Sequence, residues 1–256
     1  MIDHPLSKQS NSNWKRYYDD KVLWEEIEKD VKRTRVELAF FMRAVDPARN
    51  SQEDTIRLEM QQHTKKADLP SEAIENYIEA HSDALARILF IYARLNAGIK
   101  YVQGMNEILA VLYFCFWNFG NEAIISTEYL ESDVFFCFSN LMAELKDGFL
   151  RDLDKEKNGI DGKCKAMLSV LKLVDPPVFQ KLRMEKVNPQ FYALRWLMLL
   201  MCQEFDMANC VRLWDTLFAD KIRFDYLNYV CVAIIQQVRE EIIEGDFAQC
   251  MENLQG

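Results

Sequence analysis

From Met105 to Trp117 the chain is apolar on every side, and this run limits the possible folds more than any other feature. A helix with no polar face belongs at the centre of a core. Its most apolar part, Ile108 to Trp117, is about half of the roughly 20 residues that a membrane-spanning helix needs. Other helices must therefore cover it, and their stripes are visible at three- and four-residue spacing. One stripe is Leu23, Trp24, Ile27 and Val31. A second is Leu85, Ile88, Tyr92 and Leu95, and a third is Leu130, Val134, Phe138, Leu141 and Leu145. Eight glycines and six prolines are few for 256 residues, and alternation of β-branched residues is scarce. The expected class is all-α, with a core large enough for one big domain or two lobes.

Residues 1–13 are polar and expected to be disordered. Helices are predicted from about Trp14 to Thr34, from Ser71 to about Ala80, from Ser82 or Asp83 to Leu95, and from about Glu128 to Lys146. Residues 55–69 fit a short helix or a variable insertion. Asn158-Gly159-Ile160-Asp161-Gly162 is the strongest loop signal. It is taken as the boundary between an N-terminal lobe of about 14–160 and a C-terminal lobe of about 161–256. Beyond it, helices are expected over about 163–173, from Asp175-Pro176-Pro177, over Phe191–Phe205, around Cys210–Phe218, and over Leu227–Ile243.

The net charge of −9 and pI near 5 argue against a general nucleic-acid binder, which shows a basic face. They suit a protein partner with a basic patch. Seven cysteines, with no C-x-x-C pair and most inside apolar runs, read as buried thiols in a reducing compartment. His4, His63 and His81 do not cluster, and no H-E-x-x-H occurs, so no metal site is expected. No P-loop motif is present, so the chain is not expected to hold a nucleotide of its own. The N-terminus lacks a signal-peptide apolar core. The expectation is a soluble, cytosolic protein without an integral membrane segment.

Two short stretches carry the functional reading. The first is Tyr101-Val102-Gln103-Gly104-Met105-Asn106, where a neutral polar side chain sits beside Gly104 between two apolar helices. By itself this is a helix–helix turn as readily as a substrate reader. The second is Ile27-Glu28-Lys29-Asp30-Val31-Lys32-Arg33-Thr34. At about 100° per residue, Arg33 falls nearly opposite Trp24 and off the buried stripe. Asp30 lies one turn before Arg33 and within its reach.

Together, in this order and on a helical chain, the two stretches resemble the I-x-x-D-x-x-R and Y-x-Q-G-M patterns of the TBC domain of Rab GTPase-activating proteins. Further similarities are Ser132 to Phe138, Arg195-Trp196 with Glu204-Phe205, and Leu213-Trp214-Asp215. The resemblance covers about residue 14 to the end. One departure is the exit from the first motif. The family follows Arg-Thr with a Phe/Pro-type turn, and here the chain reads Arg35-Val36-Glu37.

The resemblance implies a two-lobed all-α TBC domain that accelerates GTP hydrolysis by a GTP-bound Rab in vesicle trafficking. Arg33 would be an arginine finger and Gln103 a glutamine finger, with Asp30 positioning the arginine. Tyr101, Gly104, Met105 and Asn106 would support the loop. Arg195, Trp196, Trp214 and Asp215 would be groove or fold contacts. GTP and magnesium would be carried by the Rab, with no cofactor of the chain's own. Membrane contact would come only through the Rab. The alternative is a Rab-binding or scaffold protein of the same fold without turnover.

Overall fold

The apolar run is helical, with Met105 to Val111 and Tyr113 buried in a core and Leu112 and Phe114 to Trp117 half-buried. The computed structural model describes residues 12–46, 48, 77–119, 128–149 and 159–255. Helix α1 (Asn13–Val31) is followed by a single 3-10 turn (Ala39–Met42), α2 (His81–Leu95), α3 (Met105–Phe119) and α4 (Leu130–Phe149). The rest is α5 (Ile160–Val174), α6 (Pro176–Met184), α7 (Gln190–Met198), α8 (Met207–Ala219), α9 (Asp225–Gln237), α10 (Arg239–Glu244) and α11 (Phe247–Gln255). The fold is all-α, and among the described residues Ala44 and Ala80 form one isolated antiparallel bridge. No helix among them is long and apolar enough to cross a membrane.

The chain divides into two compact units, residues 1–136 and 137–256. In the first, α1 packs on α2, and both meet α3. Met105, Ile108, Leu109 and Ala110 of α3 have no exposure at all, and Ile27, Leu85 and Leu89 are equally covered. In the second, α5 packs against α6, α7 and α9, while α10 lies against α6 and α11. The units meet in sequence at Phe136 and Cys137, inside α4, and not at the Asn158–Gly162 loop. A loop signal marks where the chain turns, whereas a unit ends where its core does. Ile160 already opens α5, and Gly162 is helical.

Other differences have local causes. Ser12 is buried and receives the Lys15 N–H at 3.4 Å, so α1 begins at Asn13 within the stretch expected to be disordered. Residues 1–11 and 55–69 lie outside the described residues, as does the expected Ser71 helix except for residues 77–80. Those four are not helical, Ala80 is extended, and His81 N donates to Arg43 O while Val45 N donates to Glu79 O. Helix α2 starts at His81, ahead of both expected caps. Asp83 acts from its third position, accepting from Ala80 N at 2.9 Å. The expected Phe191–Phe205 helix stops at Met198, because Leu200 and Met201 turn left-handed with φ of 49° and 61°. The Leu227–Ile243 helix is two, broken at Val238.

Helix α11 has no counterpart in the expected elements, although its signal is present. Asp246-Phe247-Ala248-Gln249 is a capping box. Gln249 N donates to Asp246 Oδ1 at 3.0 Å, and Asp246 N to Gln249 Oε1 at 2.9 Å. Gly245 makes the turn possible, since a Cβ there would stand 2.6 Å from Glu241 O. Of the cysteines, 164, 202, 210, 231 and 250 are buried thiols and Cys137 is exposed.

One buried polar residue tests this core by pH. His81 is 3% exposed. Its ring stacks on Phe40 at 4.3 Å and meets Trp117 edge-on at 4.3 Å. Nδ1 shares a 2.9 Å hydrogen bond with the Tyr113 hydroxyl. Burial, and secondly the charge of Arg43, push His81 down to about 4. In the unfolded chain it titrates near 6.5. Stability from the neutral ring is therefore complete above that value, and it is lost as pH falls toward 4. A displacement of that size corresponds to about 3 kcal/mol. Urea unfolding between pH 7 and pH 4 is expected to show the wild type losing about that much more than His81→Gln. Parallel losses in the two proteins would exclude His81 as the source.

Candidate functional site: two exposed side chains on bonded segments

The end of α1 tightens before it stops. Arg33 N donates to Asp30 O at 3.2 Å and Thr34 N to Val31 O at 3.0 Å, the three-residue closures typical of a last turn. Asp30 faces inward and is 5% exposed. Arg33, just beyond the helix, turns outward with its side chain 51% exposed. Its Nη2 donates to Asp30 Oδ1 at 2.6 Å. A buried carboxylate thus grips an exposed guanidinium from below.

The other oxygen of Asp30 is also taken. The buried Tyr101 hydroxyl lies 2.7 Å from Asp30 Oδ2 and 3.1 Å from Asn106 Oδ1. One proton serves both spacings, and the shorter, charge-assisted bond to Asp30 is the stronger. Burial, then the bond to Asp30 and its charge, push Tyr101 well above the usual phenol range, so the hydroxyl keeps its proton. Asp30 therefore joins the end of α1 to the loop 71 residues away in sequence.

Asn106 makes the second junction. Its Oδ1 accepts from Gly104 N at 3.0 Å. Its Nδ2 donates to Thr34 Oγ1 at 2.8 Å, and Thr34 Oγ1 donates to Asp30 O at 2.9 Å. Gly104 has φ 103°, a conformation that strains any residue with a Cβ. This turn lets α3 start directly beneath the loop. Met105 is fully buried, with its sulfur 3.5 Å from Val102 N. Gln103 sits at the tip, exposed. Arg33 and Gln103 are thus each flanked by residues that bond across to the flank of the other.

The remaining residues singled out in the sequence belong to the second unit. Arg195 makes two bonds to Glu204, from Nε at 2.6 Å and Nη2 at 3.0 Å. Trp196 is buried against Tyr192, ring centroids 5.4 Å apart. Trp214 is buried and donates its Nε1 to Leu200 O at 3.0 Å, which holds the left-handed turn after α7. Asp215 is exposed. A cavity of about 310 Å³ in this unit is lined by Glu144, Asp147, Lys163 and Arg223 among others, and by none of the motif residues.

Three residues at the bonded segments have no role in the sequence reading: Thr34, Arg35 and Glu107. Glu107 carried a signal, because a lone carboxylate in a run that is otherwise apolar has to find a partner. It is 7% exposed, and its Oε2 lies 3.5 Å from Arg35 Nε. Chemically, the assembly presents a permanent cation and a neutral amide to whatever approaches from outside.

Comparison with known proteins gives this arrangement a family. The family model described as the Rab-GTPase-TBC domain matches residues 39–243. That span includes the Tyr101–Asn106 loop and begins just after the Arg33 turn. TBC1 domain family member 13 of Homo sapiens is 40% identical over 285 residues, covering 99% of this chain and 70% of that protein. TBC1 domain family member 5 of Homo sapiens is 28% identical over 291 residues, covering 98% of this chain and 32% of that protein. The crystal structure of the Ypt/Rab-GAP domain of Gyp1p superposes with a TM-score of 0.68 at 20% identity. It covers 99% of this chain and 70% of that one, a likeness of fold. A family match over most of the length and 40% identity across nearly all of it lead to one conclusion: the chain belongs to the Rab-GTPase-TBC domain family.

Proposed function

We propose that this chain accelerates GTP hydrolysis on a Rab-family GTPase in its GTP-bound state, supplying Arg33 and Gln103 in trans. The observation that carries this reading is the pair of exposed side chains on segments joined through Asp30–Tyr101 and Thr34–Asn106. Family membership, and relatives named for Rab-GAP domains, support it. Nucleotide and magnesium come with the GTPase. The chain has no hydrolase activity of its own, and it serves vesicle traffic from the cytoplasm, meeting membranes through the Rab.

Hydrolysis needs a water in line with the γ-phosphate and positive charge on the oxygens that gain negative charge. Arg33 is always protonated, and its planar fork matches two phosphate oxygens at once. Asp30 holds the guanidinium before the partner arrives, so less freedom is lost on docking. Gln103 has an amide N–H₂ to give to phosphate and a carbonyl to take a proton of the water. It thereby does the work that many GTPases leave to their own glutamine.

The decisive measurement is phosphate release from a panel of GTP-loaded Rabs, followed by single-turnover rates on the Rab that responds best. Arg33→Ala is expected to lower the stimulated rate by about 10³-fold or more. Arg33→Lys should do nearly as badly, because lysine keeps the charge and loses the fork. Melting temperatures should stay within about 4 °C of wild type. Near-full activity in the lysine variant would remove the bidentate role, and a protein that binds Rabs without any acceleration would be a scaffold.

The two side chains share one transition state, so their losses should not multiply. Arg33→Ala combined with Gln103→Ala is expected to be scarcely slower than the worse single variant. A Rab whose own catalytic glutamine is replaced should still respond to the wild-type chain. Complete unresponsiveness of that Rab would reduce Gln103 to a contact residue, and cleanly multiplying losses would make the two side chains independent.

A further inference from the structure

Arg35 stands where the sequence leaves the family's exit turn, and it does not point into solvent. Its side chain is 6% exposed, and its Nε lies 3.5 Å from Oε2 of Glu107, whose side chain is likewise buried from solvent at 9% exposure. Its Nη1 lies 3.5 Å from the exposed Glu37. The backbone at Arg35 is left-handed, with φ 48°, a state that residues with a Cβ keep only when their surroundings hold them there. Glu107 is on the first turn of α3, and its Oε1 receives Asn106 Nδ2 at 3.4 Å.

A buried ion pair is a poor source of net stability, because loss of hydration offsets the attraction. Two apolar side chains of similar size would fill the space as well. Opposite charges add a demand on register, since displacing either one separates the two charges in a poorly solvated place. Arg35 lies two residues after Arg33, and Glu107 four residues after Gln103. Asp30–Tyr101 ties the segments on one side of the exposed pair, and Thr34–Asn106 with Arg35–Glu107 ties them on the other.

We propose that Arg35 and Glu107 are a positioning pair that fixes the separation of Arg33 and Gln103. The inference rests on the two-finger reading above. Neither residue touches the GTPase's nucleotide. They act by holding the left-handed exit turn and the start of α3 in register. Without the pair the chain still folds, and the two exposed side chains no longer meet one phosphate together.

The test uses Arg35→Met with Glu107→Gln, which removes both charges at once and leaves an amide oxygen for Asn106. Glu107→Asp, which keeps the charge and shortens its reach, is a second variant that folds if the first does not. On the best-responding Rab of a GTP-loaded panel, the maximal single-turnover rate should fall by about tenfold to 100-fold in each. The half-saturating concentration should change by less than about threefold, and the melting temperature of the double variant should stay near wild type. In the chain alone, amide exchange at Thr34 and Gly104 should quicken by about tenfold. A maximal rate within threefold of wild type, or a loss carried wholly by the half-saturating concentration, overturns the proposal. So does unchanged exchange at both amides. If no Rab responds to the wild-type chain, the activating function itself fails, and the exchange measurement alone decides whether the pair holds the register.

Discussion

A carboxylate taken out of water is costly unless its oxygens are bonded, and Asp30 organises the first unit around that requirement. Its Oδ1 holds Arg33 and its Oδ2 receives Tyr101, while its backbone carbonyl receives Thr34. Each bond reaches a different part of the site: the exposed arginine, the distant loop, and the hydroxyl that Asn106 reads. Removing the carboxylate would free the guanidinium and leave the buried phenol with Asn106 Oδ1, at 3.1 Å, in place of its stronger acceptor. The cost of burying one charge is thereby converted into a fixed geometry for another that stays in solvent.

That geometry needs a base that does not move. Helix α3 supplies it because its first two turns, Met105 to Val111, are buried. Asn106 and Glu107 are the polar residues at its start, and both are turned toward the end of α1. Packing density in such a core leaves little room for displacement. The loop carrying Gln103 is short, starts from Tyr101 and ends on Gly104, so its tip inherits the rigidity of the helix below.

The second unit uses the same device away from the motif residues. Asp175 is 6% exposed, receives Val178 N at 3.3 Å as the cap of α6, and accepts Arg239 Nε at 2.9 Å. Leu200 takes a left-handed turn whose carbonyl is held by the Trp214 indole. In both places a polar group closes a chain end and joins it to a helix far along the sequence.

Much of this was legible without coordinates. Periodic apolar residues identified most helices because burial of one face leaves a pattern that local spacing reveals. Arg33, Asp30 and Gln103 were marked as candidates because the two motifs together resemble the I-x-x-D-x-x-R and Y-x-Q-G-M patterns of the family, and neither stretch alone would have singled them out. What spacing could not show was any pairing across the chain. Thr34, Asn106, Arg35 and Glu107 acquire their partners only when α1 lies against α3, and no periodicity encodes which polar atom will face which. The same holds for the break after Met198, where a tertiary hydrogen bond from Trp214 overrides an apolar run that would have continued as helix. The unit boundary inside α4 is likewise a property of cores and not of loops. The sequence by itself determined an all-helical chain with a buried apolar centre and an outward arginine. Tertiary structure alone decided what holds that arginine, because a hydrogen bond between residues 71 positions apart exists only after the helices have packed.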